Sequence, residues 1–334
     1  MANAHETSGF MAVEAAHAAL RVADADPRDI DLIVVGTSTP DYPLPSTACQ
    51  VQDALGATKA GAFDLNAGCS GFAYALNTGH QAIASGEHSL VLVIGVDSLT
   101  KTVDWQDRGT CVLFGDGAGA VLLRATDGDT GVLSTLMGSD GSGEDMLIIH
   151  AGGSANPASE ETLSEGMHYL RMNGREVYRF AVRMLPQATE QVVAKSGLAM
   201  QDIDLIIPHQ ANQRILNTAA KRLKVPPERF FSNLHEYGNT SAASIPIALC
   251  DAVDSGRVEP GQHIVLVGFG AGLTWAAAVV RWGVSPEEAV SPWHHIWWRW
   301  ILYRWASLRS HARHAVRRAT KVFARPTKGP DHER

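Results

Sequence analysis

Along this chain short apolar runs alternate with longer stretches in which apolar positions recur every three or four residues. That is the pattern of a mostly parallel sheet covered by helices. Residues 30–36 and 90–94 predict buried strands, and residues 62–65 are strand-like. Residues 45–55 predict a helix that opens near Ser46 and stops at Gly56, and residues 69–85 predict another, closed by Gly86. The chain also repeats itself. Asp29-Ile30-Asp31-Leu32-Ile33 recurs as Asp202-Ile203-Asp204-Leu205-Ile206, and Ser89-Leu90-Val91-Leu92-Val93 is echoed by His263-Ile264-Val265-Leu266-Val267. Gly117-Ala118-Gly119-Ala120-Val121 is echoed by Gly270-Ala271-Gly272 leading into residues 276–280. The echoes keep their order, which points to a duplicated α/β unit with a break near residue 165. The halves are then 1–165 and 166–284, followed by a tail over 285–334. Sites in such bodies often lie between the halves, at the carboxyl ends of strands.

Composition narrows the class. With 334 residues, 45% apolar and 19% charged, the chain has the make-up of a compact, enzyme-sized body and not of a disordered or fibrous one. Cys49, Cys69, Cys111 and Cys250 lie far apart with no CxxC pair, against a zinc site or a disulfide framework and in favour of a reducing cytoplasm. The first twenty residues lack the apolar stretch of a signal peptide, and no segment is apolar for long enough to span a bilayer. The net charge of −7 hides an asymmetry: residues 285–334 hold ten Lys and Arg against four acids, leaving −13 on residues 1–284. Body and tail are therefore expected to have different partners.

The candidate chemistry centres on a turn. Asn66-Ala67-Gly68 follows a strand-like run, and Cys69 begins the next helix, where unpaired N–H groups and the positive end of the helix dipole favour thiolate over thiol. The same N–H groups could hold the oxyanion of an attacked thioester. A free cysteine is also an ordinary small core residue, and Cys49, Cys111 and Cys250, inside apolar periodic segments, are read as core. Two segments in the second half bear on the choice. Pro208-His209-Gln210-Ala211-Asn212 puts an imidazole at a strand end, and Tyr237-Gly238-Asn239-Thr240-Ser241 puts an amide before a helix. Each alone fits a structural histidine and a turn asparagine better than a catalytic pair. His294-His295 is too isolated for a metal site, and Gly115-Asp116-Gly117-Ala118-Gly119 has the wrong spacing for a nucleotide-binding GxGxxG.

Over residues 6–282 these segments resemble β-ketoacyl-acyl-carrier-protein synthase III, the initiating condensing enzyme of type II fatty acid synthesis. The likeness is carried by residues 64–75, 107–119, 208–215, 237–244 and 268–275. It implies a thiolase-like, duplicated, layered α/β/α/β/α fold and a homodimer. It also implies an acyltransferase with no cofactor beyond its CoA thioester substrate. By that resemblance Cys69 takes the acyl group from acyl-CoA, and His209 and Asn239 bind the thioester carbonyl of malonyl-acyl carrier protein for decarboxylative condensation to 3-oxoacyl-carrier protein. The oxyanion hole would be the backbone N–H groups of Cys69 and Ala271. Arg108 stands where the family contacts the adenine end of CoA, and Asn212 near its pantetheine arm. Arg214, Lys221 and Arg222 form a basic face where the acidic carrier protein docks. Leu44 stands where an aromatic of the partner subunit often gates the acyl pocket, and Arg175 where Asn is frequent. A non-decarboxylating acyltransferase of the same fold, or an inactive scaffold subunit, is the alternative.

The family normally starts with a glycine-bearing strand and a Trp and Arg that clamp the adenine, and this sequence begins after them, so either the true start lies upstream or the amino-terminal strand and half of the CoA clamp are missing. The tail has no counterpart in the family. Trp293, Trp297, Trp300 and Trp305 with Arg309, Arg313, Arg317 and Lys321 predict a basic, tryptophan-rich helix. Over 293–321 it is suited to peripheral contact with a membrane surface or to docking on the acidic body. Nucleic-acid binding is disfavoured because no recognition fold accompanies the charge.

Overall fold

A computed structural model of the protein describes residues 1–283, 308–310, 312 and 316. Two four-stranded mixed sheets form its frame. In the first, β1 (Leu32–Gly36) runs parallel to both β2 (Gly61–Leu65) and β3 (Leu90–Ser98), and β4 (Asp116–Arg124) pairs antiparallel with β3, giving the order β2-β1-β3-β4. The second contains β5 (Gly131–Ser139), β8 (Leu205–Pro208), β9 (His263–Gly270) and β10 (Thr274–Arg281), in the order β5-β10-β9-β8. There β8 and β9 are parallel, and β10 is antiparallel to both β9 and β5. The short strands β6 (Leu147–Ile149) and β7 (Leu170–Met172) pair beside them.

Five layers result, with three apolar interiors between them. Helices α1 (Ser8–Val22) and α2 (Thr47–Leu55) cover the outer face of the first sheet through Ala12, Ala16, Leu20, Val51 and Leu55. Between the sheets lie α3 (Gly71–Ala84) and α8 (Ser244–Asp254), whose Phe72, Leu76, Ile245 and Leu249 meet strands of both. On the far face α5 (Gly174–Lys195) and α6 (Gln213–Leu223) pack Leu185, Val192, Ile215 and Leu216 against β9 and β10. Two short helices, α4 (Glu160–Ser164) and α7 (Leu234–Tyr237), lie in the connections.

The echoes in the sequence correspond to matched structure. A 3-10 turn precedes β1 and another precedes β8, and Asp31 and Asp204 repeat one contact: each N–H donates to a carbonyl at the start of the next strand (2.9 Å in both), and each carboxylate accepts from backbone N–H groups there. Likewise 3-10 turns lead into α3 and α8. Yet β5, from before residue 165, completes the second sheet, so a break there separates the echoes and not the sheets.

Some expectations need correction. The strand expected from residue 30 begins at Leu32, because Ile30 caps the preceding 3-10 turn. The helix expected from Cys69 begins at Gly71, Cys69 itself lying in a 3-10 turn. Cys49 and Cys250 are exposed and not core, since each falls on the outward side of its helix; Cys111 is buried. The expected cap Ser46 accepts from Cys49 N, and Gly56 closes α2 at φ 72°. Asp64, at the end of β2, holds the start of α2 by accepting from Thr47 N and Ala48 N, both at 2.7 Å. The tail expectations fall mostly outside the described residues; Ser310 donates a short hydrogen bond to the Asp53 carboxylate on α2. Among the described residues no helix is long and apolar enough to cross a membrane.

Candidate active site

Cys69 is carried on a turn that both halves of the molecule hold. Gly68 has φ +54°, and a Cβ there would lie 2.8 Å from Ala271 N, so only glycine lets residues 68 and 271 approach. A Cβ on Gly270 would lie 2.5 Å from Cys69 N. The Ser70 and Thr274 hydroxyls lie 2.7 Å apart, and both donate to Ala67 O at 2.8 Å. These contacts bring the Ala271 backbone against the Cys69 turn, where the expected oxyanion pair would have to be.

His209 follows β8, whose parallel pairing with β9 is extended by His209 N donating to Val267 O at 2.8 Å. Its ring is buried, edge-on to Phe269 at 5.2 Å, with Nδ1 2.6 Å from Ser244 Oγ at the start of α8. Ser244 Oγ also accepts from Gln210 N at 3.4 Å, leaving the hydroxyl proton for Nδ1. This pairing suits the tautomer that carries its proton on Nε2. Asn239 is held by backbone bonds to Leu113 and Gly115, and its Oδ1 accepts from Ser241 N at 2.9 Å. With Oδ1 so engaged, Nδ2 remains as the donor of the amide.

Cys69, His209 and Asn239 line one cavity of about 220 Å³, together with Asn212 and the apolar side chains of Leu113, Phe114, Leu147, Met172, Phe180, Phe269 and Leu273. Residues separated by up to 204 positions in sequence, from Cys69 to Leu273, thus share one small apolar chamber. Gly109 lines it while the neighbouring Arg108 is exposed. Asn212 caps α6, accepting from Arg214 N at 2.9 Å. Arg214, Lys221 and Arg222 are exposed on α6, but Arg222 Nη1 is turned to Val182 O at 2.8 Å. Leu44 is 86% exposed and does not reach the cavity of its own chain.

The electrostatics correct one expectation. Burial pushes the Cys69 thiol up to about 12; a hydrogen bond from Ser241 opposes this, the Asp97 carboxylate adds to it, and the Cys69 N–H opposes it. The resting form is therefore the thiol: nearness to a helix start does not outweigh exclusion from water. Burial also holds His209 down at about 3, so its ring is neutral.

Reasoning from sequence missed Ser244, Ser241 and Asp97 as members of this site. Asp97 carried a signal, an acid closing an otherwise apolar run, but its partners are scattered along the chain. The glycines at 115, 117 and 119, rejected as a nucleotide loop, serve packing: Cβ atoms there would run into Tyr237 O, Ile247 and Pro246 respectively.

Two family models match the chain, 3-oxoacyl-[acyl-carrier-protein (ACP)] synthase III over residues 63–141 and the C-terminal part of the same synthase over 193–282. The β-ketoacyl-[acyl-carrier-protein] synthase III of Symbiobacterium thermophilum is 52% identical over 279 residues, 84% of each chain. The chain belongs to the β-ketoacyl-acyl-carrier-protein synthase III family. Among solved structures, the synthase III of Thermus thermophilus superposes with a TM-score of 0.79 at 43% identity, covering 85% of this chain and 87% of that one. The priming β-ketosynthase of the R1128 polyketide pathway does so with 0.77 at 36% identity, covering 86% and 85%. The layered, duplicated fold described above is the fold of this synthase III family.

Proposed function

We propose that the protein is a condensing acyltransferase that loads an acyl group from acyl-CoA onto Cys69 and joins it to malonyl-acyl carrier protein with loss of CO2. The observation that carries this reading is the shared chamber: one buried sulfur, one neutral imidazole and one carboxamide line the same cavity. Loading forms a bond from Cys69 Sγ to the acyl carbon and breaks the bond from that carbon to the CoA sulfur, which leaves with the thiol proton. The tetrahedral oxygen would be met by the N–H groups of Cys69 and Ala271.

In the second half-reaction the bond to the malonyl carboxylate breaks and CO2 departs. The electron pair moves onto the thioester oxygen, which His209 Nε2–H and Asn239 Nδ2–H would stabilise. The enolate carbon then bonds to the acyl carbon as the C–S bond to Cys69 breaks, and the sulfur takes up a proton. No step changes an oxidation state or calls for a group outside the two substrates, so the scheme needs no cofactor. A neutral His209 fits this role, because a ring protonated at both nitrogens would also pair with the malonyl carboxylate and retain it.

Arg108 at the chamber mouth and Asn212 on its wall would meet the two ends of CoA, and the exposed Arg214 and Lys221 on α6 would meet an acidic carrier protein. For a second copy of the chain, β2 offers a sheet edge with Phe63 40% exposed, and the nearby Leu44 would then reach the partner's chamber. The tail over 293–321 would add contact with a membrane surface or with the acidic body. The likeness to a priming β-ketosynthase supports a second reading, in which the same two-step chemistry primes a polyketide.

Intact-protein mass spectrometry after exposure to a panel of acyl-CoAs, with CO2 release from malonyl-carrier protein measured in parallel, tests the proposal. An acyl mass increment followed by CO2 release is expected. Loading without CO2 release would point to a non-decarboxylating acyltransferase, and no loading by any primer to a scaffold subunit.

A further inference from the structure

Beneath the chamber lies a fully buried carboxylate that the two-step chemistry leaves without a role. Asp97, at the end of β3, is wholly inaccessible to solvent. Its Oδ1 accepts from Ser38 N at 2.8 Å, Thr39 N at 3.0 Å and the hydroxyls of Thr37, Ser38 and Thr39 at 3.2, 3.0 and 2.8 Å. Its Oδ2 accepts from Ala242 N at 3.1 Å, in the other half of the molecule. One acid thus ties the loop after β1 to the turn that follows Asn239.

The residue held in that turn is Ser241, with φ 53°. This is the left-handed region, which side chains disfavour and glycine occupies without strain. The conformation sends Ser241 N to Asn239 Oδ1 at 2.9 Å and lets Ser241 Oγ donate to Cys69 Sγ at 3.4 Å. Both Ser241 and Cys69 are buried, so no water competes for that hydroxyl. A turn that needed only its shape would be served better by glycine; what serine adds there is a donor aimed at the sulfur.

We propose that Ser241 is a further catalytic residue, whose hydroxyl hydrogen-bonds the Cys69 sulfur and stabilises it whenever it carries negative charge. The inference rests on Cys69 being the nucleophile. Charge reaches the sulfur twice in the cycle: when the thiol gives up its proton to attack the thioester, and when the C–S bond breaks and the sulfur leaves with the electron pair. A hydrogen bond to a charged acceptor is roughly twice as strong as one to a neutral acceptor, so the contact is worth most at those moments.

Alkylation of Cys69 by iodoacetamide, followed across pH by peptide mass spectrometry so that Cys49 and Cys250 are scored separately, tests this in the full-length protein. Ser241→Ala and Ser241→Gly should each slow Cys69 alkylation about tenfold at any pH from 7 to 9, well below the point at which the buried thiol ionises. Ser241→Gly, free of strain at φ 53°, should unfold at a temperature no lower than the unsubstituted protein. Stability and reactivity then part company, which a purely structural serine would not produce. Acyl loading at pH 7 should fall about tenfold in both variants. An unchanged or faster alkylation of Cys69 in the folded glycine variant overturns the proposal. Slower alkylation in a protein that no acyl-CoA loads would keep the Ser241 contact and sink the acyltransferase reading.

Discussion

Lowering the pH from 7 to 5 should destabilise this protein through His209 by an amount that its burial sets. The ring is sealed from water and held down at about 3, against 6.5 for an ordinary histidine. At pH 7 neither the folded nor the unfolded chain protonates it appreciably. Below 6.5 the unfolded chain takes up a proton that the folded chain refuses until about 3, so stability is lost as pH falls through that window, at roughly 1.4 kcal/mol per pH unit. Between pH 7 and 5 the loss comes to about 2 kcal/mol. Urea unfolding followed by tryptophan fluorescence at pH 7, 6 and 5, at one protein concentration, measures it. His209→Gln supplies the comparison, because His17 and His80, also held low by burial, remain in the variant and cancel. The difference in stability between the two proteins should therefore narrow or widen by about 2 kcal/mol over that range, with the unsubstituted protein losing more on acidification. Parallel curves would mean that the ring is solvated or already charged in the folded protein, and the neutral donor assigned to it would go with that result.

Cys69→Ala should abolish acyl loading from any acyl-CoA, whereas Asn239→Ala should load within about threefold of normal and lose ~10²–10³ in condensation rate, the usual effect of removing one oxyanion donor; mass spectrometry and CO2 release read the two steps separately. Arg214→Glu combined with Lys221→Glu should raise KM for malonyl-carrier protein about tenfold and leave loading from acyl-CoA unchanged, since rim charges act on encounter with the acidic partner. Gly115→Ala should lower stability by about 1–3 kcal/mol, and condensation more than loading, because its Cβ would push the Tyr237 carbonyl and with it the Asn239 turn; thermal unfolding beside the two partial reactions checks this.

What could be read from sequence followed from local causes. Serine before a helix and glycine after it act within four residues, and Ser46, Gly56 and Gly86 stand at the ends expected of them. The paired aspartates ahead of β1 and β8 announced the duplication because each ties the start of its strand to the start of the neighbouring one. The Cys69 turn showed itself through Gly68 beside Cys69, a pairing whose purpose became visible only when Ala271 came to lie against it. The outward faces of Cys49 and Cys250 were not legible, because a cysteine at helical spacing looks alike on either side until the neighbouring layers are set.

The sequence alone determined the α/β alternation and its repetition, since periodicity is a property of short segments; Cys69, His209 and Asn239 it offered as candidates through a family resemblance. Only the tertiary structure decided that β5 completes the second sheet, that Cys69 rests as a thiol, and that Ser241 bonds its sulfur, Asp97 bears on its charge and Ser244 holds His209. Protonation follows from how many layers exclude water, and the Ser241 contact joins residues 172 positions apart. Such facts belong to packing between distant segments, which no window along the chain contains.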